Sequence, residues 1–265
     1  MRTDFQDVLV QFDEGVLTVT MNRPHVLNAF SDLMIAELTE IMETAAEDEA
    51  IRCVVLTGAG RAFGAGQDLA IFVQERSGDG SEATTEHLQA YHRLIFAIQR
   101  LPMPIIAALH GVAAGISLNI ALACDLRIAA DNARFTEAFA RIGLVPDGGG
   151  AYFLPRLLGA GKALELALLT TEITGPEAER LGLISKCVPI AEFEAAVTAL
   201  ARRLAQGPTR TYALIKDLFA QAQDKDLAAV LQLEGTFQAK AIGTADHQEG
   251  VQAFLQKRPP QYTGK

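Results

Sequence analysis

Two glycine-rich segments stand out by residue type and spacing: Gly64-Ala65-Gly66-Gln67-Asp68 and Gly111-Val112-Ala113-Ala114-Gly115-Ile116. Each follows an apolar run of strand character and leads towards a helical pattern. Small residues at such places let a backbone come close to a ligand and leave N–H groups free to face it. Two such turns meeting in space supply two donors for one developing negative oxygen, which suits chemistry at an acyl carbonyl. Gly115 and Ile116 fall at the start of an apolar helix, whose first N–H groups lack internal partners and carry its partial positive charge. At the first turn the donor is the N–H of Gln67 or a neighbour. Losing one such donor typically costs roughly 3 kcal/mol of transition-state stabilisation. Tight packing alone also accounts for either turn taken singly.

Asp147, in Val145-Pro146-Asp147-Gly148-Gly149-Gly150, is a carboxylate in a glycine-rich setting between apolar segments. It fits a general acid/base that moves a proton between two positions of a substrate. It equally fits an ordinary Pro-Asp-Gly turn, in which the aspartate bonds its own backbone. Asp68 is similarly open, since it can cap a helix starting near Leu69. Other motifs fail on spacing. Gly58-Ala59-Gly60 is no dinucleotide fingerprint, because the third glycine falls at Phe63. Gly159-Ala160-Gly161-Lys162-Ala163 is no phosphate loop, with Arg156 at its first glycine and Ala163 at its hydroxyl position. The histidines His25, His87, His92, His110 and His247 form no metal-ligand spacing, so no metal is expected. There is no Gly-x-Ser-x-Gly elbow, which argues against a serine hydrolase.

The bulk numbers narrow the class. With 265 residues, 49% of them hydrophobic and 21% charged, the chain has ample material for a core. A net charge of -9 argues against a surface built for nucleic acid or anionic lipid, though a local basic pocket stays compatible with it. Cys53, Cys124 and Cys187 sit in apolar runs without paired spacing and read as reduced core thiols of a cytoplasmic protein. The opening Met1-Arg2-Thr3-Asp4-Phe5 lacks the apolar segment of a signal peptide. The apolar stretch from Ile105 to Ala123 is too broken by His110, Gly111, Gly115, Ser117 and Asn119 for a membrane span.

Several elements must position these residues. Strands are expected at Val8 to Phe12, Gly15 to Thr20, Cys53 to Thr57, Ile105 to Leu109, Leu126 to Ala130 and Arg134 to Thr136. The unbroken apolar character of Cys53 to Thr57 suggests burial on both faces. Ser31 can cap a helix from Asp32 to about Glu47, and Ile116 to Ala123 reads as an internal helix. Residues Ser77 to Thr85, rich in Gly, Ser and Asp, are the best candidate for a mobile loop, before a helix from about Glu86 to Leu101. The order strand, strand, helix recurs at least twice. Beyond Val188-Pro189 the pattern is wholly helical: Glu192 to Gln206, Thr209 to Gln223, Leu227 to Ala241 and His247 to Gln256. This predicts a core over 1–200 and a helical region over 201–265 whose apolar faces suggest oligomerisation.

At these residues the chain resembles the enoyl-CoA hydratase/isomerase (crotonase) superfamily. The matches are Asn22-Arg23-Pro24 with Leu27-Asn28-Ala29, Gly60 to Leu69, His110 to Gly115, Ala123-Cys124-Asp125, and Gly143 to Gly149. The resemblance implies an α/β fold, a spiral of ββα turns with a C-terminal helical trimerisation region, as a homotrimer or dimer of trimers. It implies an acyl-CoA substrate, CoA being part of the substrate, and no separate cofactor. By position, the N–H groups of Gln67 and Ile116 form an oxyanion hole. Ala65, Asp68 and Leu69 line the acyl-CoA path, with Val26 near the nucleotide end. Ala113, Gly115, Asn119, Phe139 and Pro146 complete the binding set. Ile116 stands where the family usually has glycine, which narrows the pocket. Hydratases of the family carry glutamates where this chain has Asn119 and Phe139. Asp147 matches the acid of several isomerase, dehalogenase and ring-closing members, and the closest branch isomerises ring-1,2-epoxyphenylacetyl-CoA and 3-enoyl-CoA. The implied function is isomerisation through a stabilised enolate with Asp147 as acid/base. Dehalogenase or thioesterase-like chemistry at Asp147, and non-catalytic acyl-CoA binding, are the alternatives. RNA binding, found in some relatives, is disfavoured by the acidic balance.

Overall fold

The structure is a computed structural model that describes residues 2, 4–70 and 81–265, with the main chain alone for 81–86. The expected strands form as β1 (Val8–Asp13), β2 (Val16–Met21), β3 (Cys53–Gly58), β4 (Ile105–Leu109), β6 (Leu126–Ala130) and β7 (Arg134–Thr136). Three short ones join them: β5 (Val112–Ala114), β8 (Ile173–Thr174) and β9 (Lys186–Val188). The large sheet runs β1-β2-β3-β4-β6-β9, antiparallel only at the β1–β2 hairpin. A small sheet runs β5-β7-β8. The consecutive pairs β4–β5 and β6–β7 thus place one strand in each sheet, the repeating step of a ββα spiral.

The continuous apolar runs are explained by two cores. Val54 and Leu56 of β3 enter the core shared with α1 (Asp32–Glu47) and α2 (Ser81–Gln99), while Cys53 and Val55 enter the other. Strand β4 divides likewise, with Ile105, Ala107 and Leu109 on one side and Ile106 and Ala108 on the other. Alternation of side chains across a strand makes an unbroken apolar sequence a strand buried twice. The internal helix is α3 (Ile116–Ala123), with all eight residues buried. Then come α4 (Gly150–Leu158), α5 (Ala160–Leu169), α6 (Gly175–Leu181) and α7 (Ile190–Ala205). The C-terminal helices are α8 (Thr209–Ala222), α9 (Leu227–Ile242) and α10 (Ala245–Gln256). Ser31 caps α1 as its sequence suggests, its Oγ accepting the Met34 N–H at 3.1 Å. Among the described residues no helix is long and apolar enough to cross a membrane.

Four expectations change. Helix α2 begins at Ser81, so residues 81–85 of the expected loop are helical, while 77–80 lie outside the described residues. The second glycine segment holds strand β5 rather than a turn throughout, because it pairs with β7. The division at residue 200 cuts α7, whose Ala201 and Ala205 are buried against the large sheet together with Val16, Cys53 and Val55. Cys187 is only half-buried, whereas Cys53 and Cys124 are core thiols that burial pushes up to about 12.

Asn28 secures the approach to the first glycine turn. It adopts φ 54°, a left-handed conformation that asparagine tolerates better than most residues. Fully buried, its Oδ1 accepts the Arg23 N–H at 2.9 Å and its Nδ2 donates to the carbonyls of Ala59 (2.9 Å) and Ala62 (2.8 Å). Asn28→Ala strands those three backbone groups and is expected to lower stability by about 3 kcal/mol, read as a shifted urea midpoint at unchanged slope.

Candidate active site

The two glycine segments, far apart in sequence, are stitched together edge to edge. The Gly64 N–H donates to Val112 O at 3.0 Å and the Ala114 N–H donates to Gly64 O at 3.0 Å, aligning Gly64 with Ala113. The Gly66 N–H donates to Ser117 Oγ on α3 at 2.9 Å. A Cβ at Gly64 would stand 2.5 Å from Ser117 Oγ, so this approach requires glycine. Gly115 takes φ 53°, ψ −128° and turns the chain from β5 into α3. That conformation is essentially closed to residues with a Cβ. Its own N–H is used, donating to Thr136 O at 2.9 Å. Ile116 is then the first helical residue. Among the described residues, neither the Ile116 N–H nor the Gln67 N–H has an acceptor.

Both residues line a cavity of about 460 Å³ that also presents Asp147. Its wall is otherwise mainly apolar, including Leu88, Tyr91, Phe139, Ile142 and Val145. The Gln67 side chain folds back onto α2: the Tyr91 hydroxyl donates to its Oε1, and His87 Nε2 lies 3.1 Å from the same oxygen. His87 Nδ1 in turn stands 2.9 Å from Asp32 Oδ1 at the start of α1. These contacts hold the side chain in one place. A second cavity of about 510 Å³ lies beneath α7, lined by Asp13, His110, Glu194 and Arg202 among others, and shares no lining residue with the first.

Asp147 is half-buried in the turn before α4, and its Oδ1 has no hydrogen-bond partner among the described residues. Burial disfavours its charged form and pushes the carboxyl up to about 6, against a smaller opposing effect of its own backbone hydrogen bond. Asn119, inside α3, donates from Nδ2 to Asp147 O at 2.8 Å and pins the turn. The Ile116 side chain fills the space beneath it: a Cβ at Gly148 would stand 2.1 Å from Ile116 Cδ1. Next to Asn119 is Glu137, which burial, with a further push from the Asp147 charge, raises to about 8. The Asn119 amide opposes that rise by more than the Asp147 charge adds to it, although neither carboxylate oxygen makes a properly aligned hydrogen bond. A carboxyl raised on folding stabilises the fold fully below its ordinary value and loses that contribution as pH rises. For Glu137 the loss runs up through about pH 8.

Of the positions singled out in the sequence, Ala65, Gln67, Leu69, Gly115, Ile116, Phe139 and Asp147 all line the cavity. Others sit behind or beside it. Asp68 is paired with Arg23 at 3.0 Å, and Ala113 is buried in the β5 ladder. Asn119 is fully buried beneath the Asp147 turn. Val26 ends a single 3-10 turn over Pro24–Val26, and Pro146 precedes the aspartate without lining the cavity. Sequence reasoning missed His87, Tyr91 and Glu137. The four-residue spacing of His87 and Tyr91, which shares a helix face, was the available signal. Glu137 carried none, because its burial is created by α3 and the Asp147 turn.

Comparison with known proteins adds an independent line. The profile of the family described as enoyl-CoA hydratase/isomerase matches residues 11–265. The chain is 41% identical over 261 residues to a probable enoyl-CoA hydratase of Rhodobacter capsulatus, covering 98% of this chain and 99% of that protein. It is also 41% identical over 258 residues to the 1,2-epoxyphenylacetyl-CoA isomerase of Escherichia coli, covering 97% and 98%. Among solved structures, a putative enoyl-CoA hydratase from Streptomyces coelicolor superposes with a TM-score of 0.94 at 37% identity, covering 100% of this chain and 97% of that one.

Proposed function

Starting from the fact that this chain belongs to the enoyl-CoA hydratase/isomerase family, we propose that it is an isomerase acting on CoA thioesters, with Asp147 as its acid/base. The observation that carries this reading is the composition of one cavity wall: two residues whose main-chain N–H groups have no acceptor among the described residues, a carboxyl pushed up to about 6, and a mainly apolar remainder. The N–H groups of Gln67 and Ile116 polarise the thioester carbonyl and stabilise the enolate oxygen as it gains charge. Asp147 takes a proton next to that carbonyl and returns it at another carbon, shifting a double bond, or assists the opening of a ring epoxide. Holding base and thioester together removes an entropic barrier. The apolar wall keeps water from the enolate.

The relatives at 41% identity include proteins named as hydratase and as isomerase, so the choice rests on the cavity. Where resemblance places the two hydratase glutamates, this chain has Asn119 and Phe139. Glu137 does not replace them, because it is 2% exposed and lies outside the cavity wall. Exposed Phe219, Leu231, Phe254 and Leu255 on α8, α9 and α10 support assembly as a homotrimer or dimer of trimers.

Product analysis tests this reading. With 3-enoyl, 2-enoyl and ring-epoxide CoA thioesters, the expected result is interconversion of the 3-enoyl and 2-enoyl forms, with negligible hydration of crotonyl-CoA. Brisk hydration sinks the assignment. The same reaction carries a pH signature. Asp147 must be ionised to accept a proton, so kcat is expected to rise as pH increases through about 6 and then level. A limb at the ordinary carboxylate value would mean that a different group is the base.

A further inference from the structure

Asp147 reaches the cavity at the end of an exposed stretch, residues 141–145. The turn it begins closes on itself, the Gly150 N–H donating to Asp147 O at 3.0 Å. What seats that turn on the rest of the protein is one face of α3. Asn119 Nδ2 donates to Asp147 O at 2.8 Å, and Ile116, three residues earlier, lies under Gly148. Residues three apart share a helix face.

The turn meets this face through glycine at both points. A Cβ at Gly148 would stand 2.1 Å from Ile116 Cδ1, and one at Gly150 would stand 2.5 Å from Asn119 Nδ2. A Cβ is one bond beyond Cα, so the Gly148 main chain itself rests on the tip of the isoleucine. The seat is stiff. All eight residues of α3 are buried, and the Asn119 N–H donates to Gly115 O at 3.1 Å, closing the first helical turn through main chain alone. Branching at Cβ restricts the isoleucine further at χ1.

The inference that follows rests on the reading of the Gln67 and Ile116 N–H groups and Asp147 as the reacting set. We infer that the side chain of Ile116 is the positioning residue for Asp147. Its N–H serves the thioester oxygen, while its Cδ1 sets how far the aspartate turn settles towards α3. One residue thereby fixes the donor and the base relative to each other. Removing Cδ1 lets the turn sink towards the helix, and adding a methyl at Gly148 lifts it away. In both cases the Ile116 N–H keeps its place, because the main chain of α3 holds it. A reacting group displaced by about 1 Å loses up to about a hundredfold in rate.

The test is a double-variant cycle on the full chain with a short 3-enoyl-CoA. Ile116→Val removes Cδ1 and is a mild change at a buried site, so the fold persists. It is expected to lower kcat about tenfold with KM within about twofold. Gly148→Ala is expected to lower kcat about thirtyfold, as its methyl meets Cδ1. The strain of alanine at φ 56° is present in either background and cancels from the comparison. Combined with Ile116→Val, Gly148→Ala should therefore turn over about tenfold faster than it does alone. Where Gly148→Ala does not fold, I116V decides by itself. Wild-type kcat in I116V, a loss confined to KM, or losses that multiply in the double variant overturns the inference alone. Full turnover by Asp147→Asn overturns the reading on which it rests.

Discussion

Replacing Asp147 by Asn is expected to lower kcat on 3-enoyl-CoA by about a thousandfold while acyl-CoA affinity stays within about twofold. Asparagine matches aspartate in size, and the turn that carries it is held by main-chain contacts. The Asn119 Nδ2 bond goes to the carbonyl of residue 147, and the Gly150 N–H donates to that same oxygen at 3.0 Å. The substitution therefore removes proton transfer and little else. It also removes a carboxyl that burial disfavours as a charge, so thermal stability at neutral pH should hold or rise slightly. Steady-state kinetics with calorimetry of acyl-CoA binding provide the check. Retention of full turnover would exclude Asp147 as the base.

Gly115→Ala is expected to have the second-largest effect, lowering kcat about a hundredfold with a smaller change in KM. Space is not the obstacle, because among the described residues an added Cβ meets only the Phe139 ring at 3.8 Å. The obstacle is the backbone at φ 53°, ψ −128°, which an alanine relieves by rotating the peptide between residues 115 and 116. That peptide carries the Ile116 N–H. A donor moved off its target is lost from the transition state even though every side chain of the cavity remains. Kinetics on a variant whose unfolding curve is near normal separate this effect from collapse of the fold.

The sequence was most legible where one physical cause acted locally. Strand β4 and helices α1 and α3 have the expected bounds, because continuous apolar runs and the Ser31 cap decide them within a few residues. Helices α4 and α5 were obscured by Pro155 inside one and by Gly159, which closes the first and opens the second. Strands β8 and β9 are two and three residues long, too short to carry a period, and exist because a neighbouring strand recruits them. The same contrast holds at the site. The glycine turns and Asp147 announce themselves by residue type, whereas Glu137 becomes unusual only when α3 and the turn before α4 exclude water from it.

The pairing of Gly64 with Ala113 has a kinetic consequence. It links segments separated by about fifty residues, as does the 51-residue span from Gly66 N to Ser117 Oγ. Contacts of high sequence separation bear their loop-closure entropy before they return any stabilisation. Individual helices can therefore appear during refolding before the paired amides are in register. Recovery of turnover should lag behind recovery of helical circular dichroism, making enzymatic activity a late reporter of long-range closure in this chain.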